Sequence, residues 1–378
     1  MDGARDIPAL TGLRAPAAWA VVAFHFVLPA IPDTAWLPLR VLGAGYLAVS
    51  FFFVLSGFVL AHHYAEQDFL SWRARQRFWI KRFARVYPLY VASLAMGAIA
   101  TFPKSMFELG APREIARVAM QITLLNAWHH VAMFKWNWAA WSLSVEAAFY
   151  VAFPWLFTAL RGRTSRALWQ TLIACWALTF VAPALYTSFD PDSLGRPLGI
   201  YDNALFAWYL KFFPLHRYPE FVAGLTLAVL WERRNQDMWR GHGAMVSAGA
   251  LAALAIVVIT EIAPYAFLQS GVLFPVFLAL IAGLAEPHFI ARVFSSRAIV
   301  LLGHASYATY ILHVPLYFVL GRFDGSMWKN PSPGQLALYL AIVLATSLAA
   351  YRFVEEPCRR WILRNLSRSE NTNTPSVE

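Results

Sequence analysis

Apolar runs separated by short polar stretches fill nearly the whole chain, at about 9–29, 44–64, 83–103, 138–160, 167–187, 210–231, 244–262, 268–285, 299–321 and 335–355. Each is close to the roughly 20 residues a helix needs to cross the hydrocarbon core. A helix satisfies its own backbone hydrogen bonds in lipid, which an open strand cannot do. The pattern therefore predicts an all-α polytopic membrane protein, a bundle of about ten transmembrane helices. The sixth run begins in the broken stretch Phe212–Pro219, and residues 104–137 hold a segment that reads as re-entrant or interfacial. Residues 1–366 read as one transmembrane domain, and the polar tail 367–378 as disordered. No repeat of fixed period is evident. The first residues carry Asp2, Arg5 and Asp6 and lack the basic start of a cleaved signal peptide, so 9–29 reads as a retained span.

Composition agrees with this pattern. Hydrophobic residues make up 59% and charged residues 14%, with a mean hydropathy of +0.50. A soluble domain has about half and about a quarter, respectively. The 16 Trp, 15 Tyr and 29 Phe fit a chain with many bilayer interfaces. The net charge of +10 would raise nucleic acid as a partner of a soluble protein. Here the basic residues lie between apolar runs, so topology explains them and no nucleic-acid partner is implied. With the N-terminus inside, 21 of the 31 Lys and Arg fall on inner segments, which puts both termini in the cytoplasm. Cys175 and Cys358 are too few and too far apart for a disulfide framework or a cysteine zinc site.

Ionisable groups inside a span cost about 2.5–3.5 kcal/mol on insertion scales, so each is a candidate functional residue. His25 follows Arg14 by eleven positions, which puts the two about 20° apart on one helical face and about 16.5 Å apart along it. With Arg14 at the inner interface, His25 sits near mid-membrane, where an imidazole is suited to proton transfer. A histidine simply bonded between helices is the competing reading. Glu146 shares a face with Ser142, four residues earlier, and counts to about the depth of His25, so the two can meet at one level. The alternative is a carboxylate that only ties the bundle together. Glu220 and His313, with Tyr310 one turn before the latter, fall in the outer half, where site and structural roles are equally open. Arg82 and Arg85, in the basic run from Arg77, share a face at the membrane entry and suit an anionic ligand such as a phosphate. Positive-inside topology accounts for part of that run. No Gly-rich phosphate loop, metal-spaced cluster or Ser–His–Asp order is present, and the pairs His62-His63 and His129-His130 read as surface residues near span ends.

Several ordered motifs together resemble one family. Leu10-Thr11-Gly12-Leu13-Arg14 with His25 is similar to the opening helix of the acyltransferase-3 family of integral membrane acyltransferases. Phe51 to Phe58 is similar to its second-helix signature, and Arg82 through Tyr87-Pro88-Leu89-Tyr90 to its basic third-helix entry. Trp141 to Glu146 with Tyr150 and Pro154, then Glu220-Phe221 with Gly224, resemble later blocks. Ser306-Tyr307, Tyr310, His313 and Pro315 resemble the late helix, and Glu355 with Pro357 the closing motif. The resemblance covers about residues 7–361. Thr11 departs from it, standing where many members have Asp, and the hydrolase-like extracytoplasmic domain fused to some longer members is not seen in this sequence.

The resemblance implies transfer of an acyl group, commonly acetyl from acetyl-CoA, to a hydroxyl of a glycan, a lipid-linked sugar or a small molecule, in a bacterial inner membrane. Acyl-CoA would be a donor substrate rather than a resident cofactor. His25 would then be the general base, with Glu146 balancing its imidazolium. Arg14, Arg82 and Arg85 would hold the anionic parts of CoA, and Ser142, Glu220, Tyr307, Tyr310 and His313 would meet substrate. The rival function is a proton-coupled transporter or flippase of an anionic glycolipid, which intramembrane His and Glu with basic mouths would also serve. Paired halves with matching broken helices, which such a carrier would show, are not evident.

Overall fold

The computed structural model describes residues 6–30, 36–102, 110–133, 135–233, 241–323, 325 and 331–372. Every regular element among them is helical and none is a strand. The principal helices are α1 (Pro8–Phe26), α2 (Leu47–His63), α3 (Trp72–Thr101), α4 (Ala111–Ile122), α5 (Trp141–Arg161), α6 (Ser165–Phe189) and α7 (Pro214–Glu232). They continue as α8 (Gly243–Thr260), α9 (Phe274–Leu284), α10 (Arg297–His304), α11 (Ser306–Phe323), α12 (Pro333–Ala350) and α13 (Glu356–Thr372), joined by short helical turns. Arg5, Arg234 and Arg240 of the charge pattern, and residues 373–378 of the polar tail, lie outside the described residues.

Local sequence sets several of the starts. Ser71 accepts from the Ala74 amide at 3.2 Å to cap α3, and Thr164 accepts from Ala167 at 3.3 Å to cap α6. Ser332 and Gln335 close a reciprocal box at the start of α12, followed by Pro333 where its missing N–H costs nothing. Asp190 ends α6 in the left-handed region and accepts from the amides of Leu194 and Gly195. The loop it opens is tied again by Arg196, whose guanidinium grips both oxygens of Asp202 at 2.7 and 2.8 Å.

Six helical stretches among the described residues are long and apolar enough to cross a membrane: Trp36–His63, α3, Trp138–Arg161, α6, α8 and Pro333–Asn365. A seventh results if α10 and α11, bent by 56° at Ala305, count as one span. Ten apolar runs therefore do not translate into ten such helices. The run at 268–285 splits into Tyr265–Gln269 and α9, and the run at 210–231 breaks at Phe213 into Leu205–Phe212 and α7. The helices α1 and α7 carry ionisable residues within their apolar runs, Arg14 and His25 in one and Arg217 and Glu220 in the other. Those charges lower their apolarity, and both helices are packed inside the bundle.

The contact between α2 and α7 brings backbone against backbone. A Cβ placed on Gly57 would strike the Phe221 carbonyl, and one on Gly224 the Val54 carbonyl. Backbone meets backbone there, as small residues permit in membrane bundles. Within 104–137, α4 is 12 residues long, too short to cross. It is held by buried polar bonds: Lys135 and Arg117 to Glu114, Gln121 to the Ala132 carbonyl at 2.6 Å, and Tyr90 to the Gln121 carbonyl at 2.6 Å. Residues 103–109 and 134 of that stretch lie outside the described residues.

Candidate active site

Three helices carry the candidate residues as ladders of successive turns. On α1, Arg14 lies about 16.5 Å along the axis from His25. On α11 the steps are Ser306 and Tyr307, then Tyr310, then His313. The third ladder runs the opposite way, with Tyr150, Glu146 and Ser142 one turn apart on α5 and Trp138 in the turn before it. Spacing of three or four residues keeps each set on one face.

The Arg14 end of these ladders lines an open-mouthed cavity of about 890 Å³, the solvent-filled mouth included. Arg14, Arg82 and Arg85 line it, facing Ser56, Glu146, Tyr150, Ser142, Tyr307 and Tyr310. Arg14 and Arg85 make no hydrogen bond or ion pair with the described residues, although Glu355 lies within electrostatic reach of both. Arg82 lies over the rings of Tyr64 and Phe78 at 5.6 and 5.9 Å and donates to the Tyr64 hydroxyl at 3.4 Å, while its Nε is buried without a partner. Three guanidiniums short of acceptors are matched to a ligand rich in anionic oxygens. Glu146 accepts from Ser56 at 3.2 Å and from the Tyr150 hydroxyl. Tyr307 donates to the Val86 carbonyl at 2.6 Å. An apolar side pocket of about 610 Å³ adjoins this wall between α3 and α5, lined by Trp79, Phe83 and Tyr87 and sharing Arg82, Glu146 and Tyr150 with the cavity.

Ser142 and Tyr310 close the far end of the cavity with a 2.8 Å hydrogen bond between their hydroxyl oxygens. Beyond them lies His25, half-buried, with its Nδ1 2.9 Å from Nε2 of His313. The two imidazoles are nearly coplanar, 5° apart, and Trp138 sits edge-on to His25 at 6.3 Å. His313 is fully buried and its Nδ1 lies 2.5 Å from the Tyr310 carbonyl.

Depth alone suggested that Glu146 and His25 meet. The structure separates them: His25 bonds His313, Glu146 bonds Ser56 and Tyr150, and the Ser142–Tyr310 pair stands between. Glu220 does not line the cavity; its carboxylate is buried against Arg217 at 3.0 Å, and Arg217 also donates to Ser50 at 2.8 Å. His62 is paired with Glu232 at 2.7 Å. Ser56 and Tyr150, the partners of Glu146, are contacts that spacing does not reveal for Ser56 and does for Tyr150, four residues on.

A sequence profile described as an acyltransferase domain matches residues 7–352. The chain belongs to the acyltransferase-3 family. Relatives of this family member include acyltransferase MdmB of Streptomyces mycarofaciens, 30% identical over 95% of this chain and 93% of the relative. The peptidoglycan O-acetyltransferase OatA of Listeria monocytogenes is 25% identical over 94% of this chain, which spans 56% of OatA. A putative O-acetyltransferase of Staphylococcus aureus is 24% identical over 94% of this chain and 58% of its own length. No solved structure matches. The protein is thus a multi-pass membrane O-acyltransferase, using an acyl donor and a hydroxyl acceptor, and the carrier reading is not favoured.

Proposed function

We propose that this acyltransferase-3 member moves an acetyl group from acetyl-CoA to a hydroxyl of a glycan, a lipid-linked sugar or a small molecule, with His25 as general base. The observation that carries the reading is the cavity with three guanidiniums, none paired with a carboxylate, one from α1 and two from α3, whose far end, closed by Ser142 and Tyr310, leads to His25 on α1 and His313 on α11. Arg14, Arg82 and Arg85 bind the phosphates of the donor, and the thioester lies toward Ser142 and Tyr310, with His25 on their far side. His25 takes the proton of the acceptor hydroxyl, whose oxygen attacks the thioester carbonyl. The C–S bond breaks, and the departing CoA sulfur receives the proton from His25. The name of OatA supports acetyl as the group and a glycan hydroxyl as one acceptor class. The positive residues support both termini in the cytoplasm and CoA entering from that side.

The test is transfer of labelled acetyl from acetyl-CoA by purified protein in lipid nanodiscs, with glycan and small-molecule alcohols as acceptors. His25→Ala is expected to lower turnover by about 10²–10⁴-fold with the folded protein retained. Turnover within a few-fold of wild type in that variant removes His25 from the chemistry. Binding and movement of a glycolipid without any acetyl-CoA consumption would restore the carrier reading.

A further inference from the structure

The chemistry above needs an unprotonated nitrogen on His25, and an imidazole has two to choose from. The Tyr310 carbonyl oxygen can only accept, and His313 Nδ1 lies 2.5 Å from it, so that nitrogen carries the hydrogen. His313 is 0% exposed and touches no carboxylate, so a charged ring there would be an uncompensated buried cation. The neutral ring leaves a lone pair on its Nε2. His25 Nδ1, 2.9 Å from that lone pair, must then be the N–H donor. The lone pair of His25 is consequently on Nε2, the nitrogen that makes no bond within the described residues.

We infer that His313 is a positioning residue that, braced by the Tyr310 carbonyl, holds His25 in the tautomer and ring orientation whose Nε2 receives the acceptor's proton. This rests on the proposed role of His25 and assigns His313 a place behind the base, not against substrate. The two rings come from opposite ends of the chain, α1 and α11, and their 5° coplanarity directs the N–H of one along the lone pair of the other. Packing of Phe26 against the His313 and Tyr317 rings, at 5.8 and 4.1 Å, fixes the pair laterally. The Tyr339 hydroxyl donates to the His313 carbonyl at 2.9 Å and fixes the backbone. When His25 becomes an imidazolium during transfer, its Nδ1–H still points at an acceptor, so the bond persists through the step.

Nitrogen-15 NMR of histidine-labelled protein in nanodiscs reads the tautomer directly, before any substitution. The expected wild-type result is His25 with a protonated Nδ1 and a bare Nε2, identified by loss of its signals in His25→Ala. His313→Leu removes the acceptor, and His313→Gln returns a carbonyl oxygen near the position of Nε2. His313→Leu is expected to mix the His25 tautomers and to lower kcat by about 10–100-fold while the acetyl-CoA KM holds. His313→Gln is expected to restore both the tautomer and most of kcat. A wild-type His25 with its hydrogen on Nε2 overturns the proposal, as does a His313→Leu variant with unchanged tautomer and near-normal kcat. If His25→Ala is itself active, the proposed base falls. If His25→Ala is inactive while the two tautomer results fail, only the role of His313 falls.

Discussion

Replacing Arg85 by Gln isolates the proposed donor contact from the stability of the bundle. Arg85 makes no hydrogen bond or ion pair with the described residues, and it lies within repulsive reach of Arg14. Removing its charge breaks no bond of the folded protein, so thermal stability should hold. A charge-assisted hydrogen bond contributes about 1.5–3 kcal/mol. Because Arg85 is only partly buried, the lower half of that range applies, and at about 1.4 kcal/mol per tenfold it corresponds to a donor KM raised about 10–40-fold. The acceptor KM and the turnover at saturating donor should change little. Arg82→Gln makes the contrast, since it also loses the ring contacts with Tyr64 and Phe78, worth about 0.5–2 kcal/mol, and should melt earlier. The assay is initial-rate acetyl transfer across a range of acetyl-CoA concentrations at two ionic strengths, beside a melting curve and a topology assay for each variant. An Arg85→Gln enzyme with unchanged donor KM and altered membrane orientation would refute the reasoning and leave this basic run as a topology signal alone.

Glu220→Gln should behave in the opposite manner, lowering stability by about 3 kcal/mol because it removes the only negative charge bonded to a buried guanidinium and leaves it neutral partners, while both KM values stay put. A stable Glu220→Gln protein with a shifted KM would move Glu220 into the substrate site. In the 190–204 loop, the bonds from Arg196 and the Gly199 amide hold the Asp202 carboxyl down to about 2. A depressed carboxyl contributes its stability above the ordinary carboxylate range and loses it as pH falls through about 2. Exchange protection of the Gly199 amide should therefore persist at pH 4.5 and collapse between about pH 4 and 2; Arg196→Gln should move that collapse upward, and an unmoved collapse would show that the bridge does not hold the loop.

What could be read from sequence is what repeats locally. Arg14 with His25, Arg82 with Arg85 and Tyr310 with His313 each share a helix, and helical arithmetic puts each pair together; all but the two histidines line the cavity, and those lie just past its end. Helical periodicity and apolar composition likewise carry the all-helical membrane character. Partners across helices are a different matter. His25 and His313 are 288 residues apart, and nothing in either neighbourhood encodes the other. Equal depth brought Glu146 and His25 to one level without fixing the rotation of α5, which turns the carboxylate toward Ser56 and Tyr150. The i,i+3 spacing of Arg217 and Glu220 does carry the signal of their ion pair, since both sit on one turn of α7. Run length overstates the number of crossing helices because an apolar run is blind to a break such as Phe213 or a bend such as Ala305.

The meeting of Gly57 with Gly224 has a mechanical side. Side-chain contacts can slide, because rotamers readjust as one helix moves along another; carbonyl against glycine leaves nothing to readjust, and a small shear already drives atoms into overlap. α2 and α7 therefore behave as a single beam. Shape change in this bundle is confined to seams built of side chains, and the seam between α3 and α5 already parts around the pocket beside Trp79 and Phe83. α3, which carries Arg82 and Arg85, forms one side of that seam, and the beam lies apart from it.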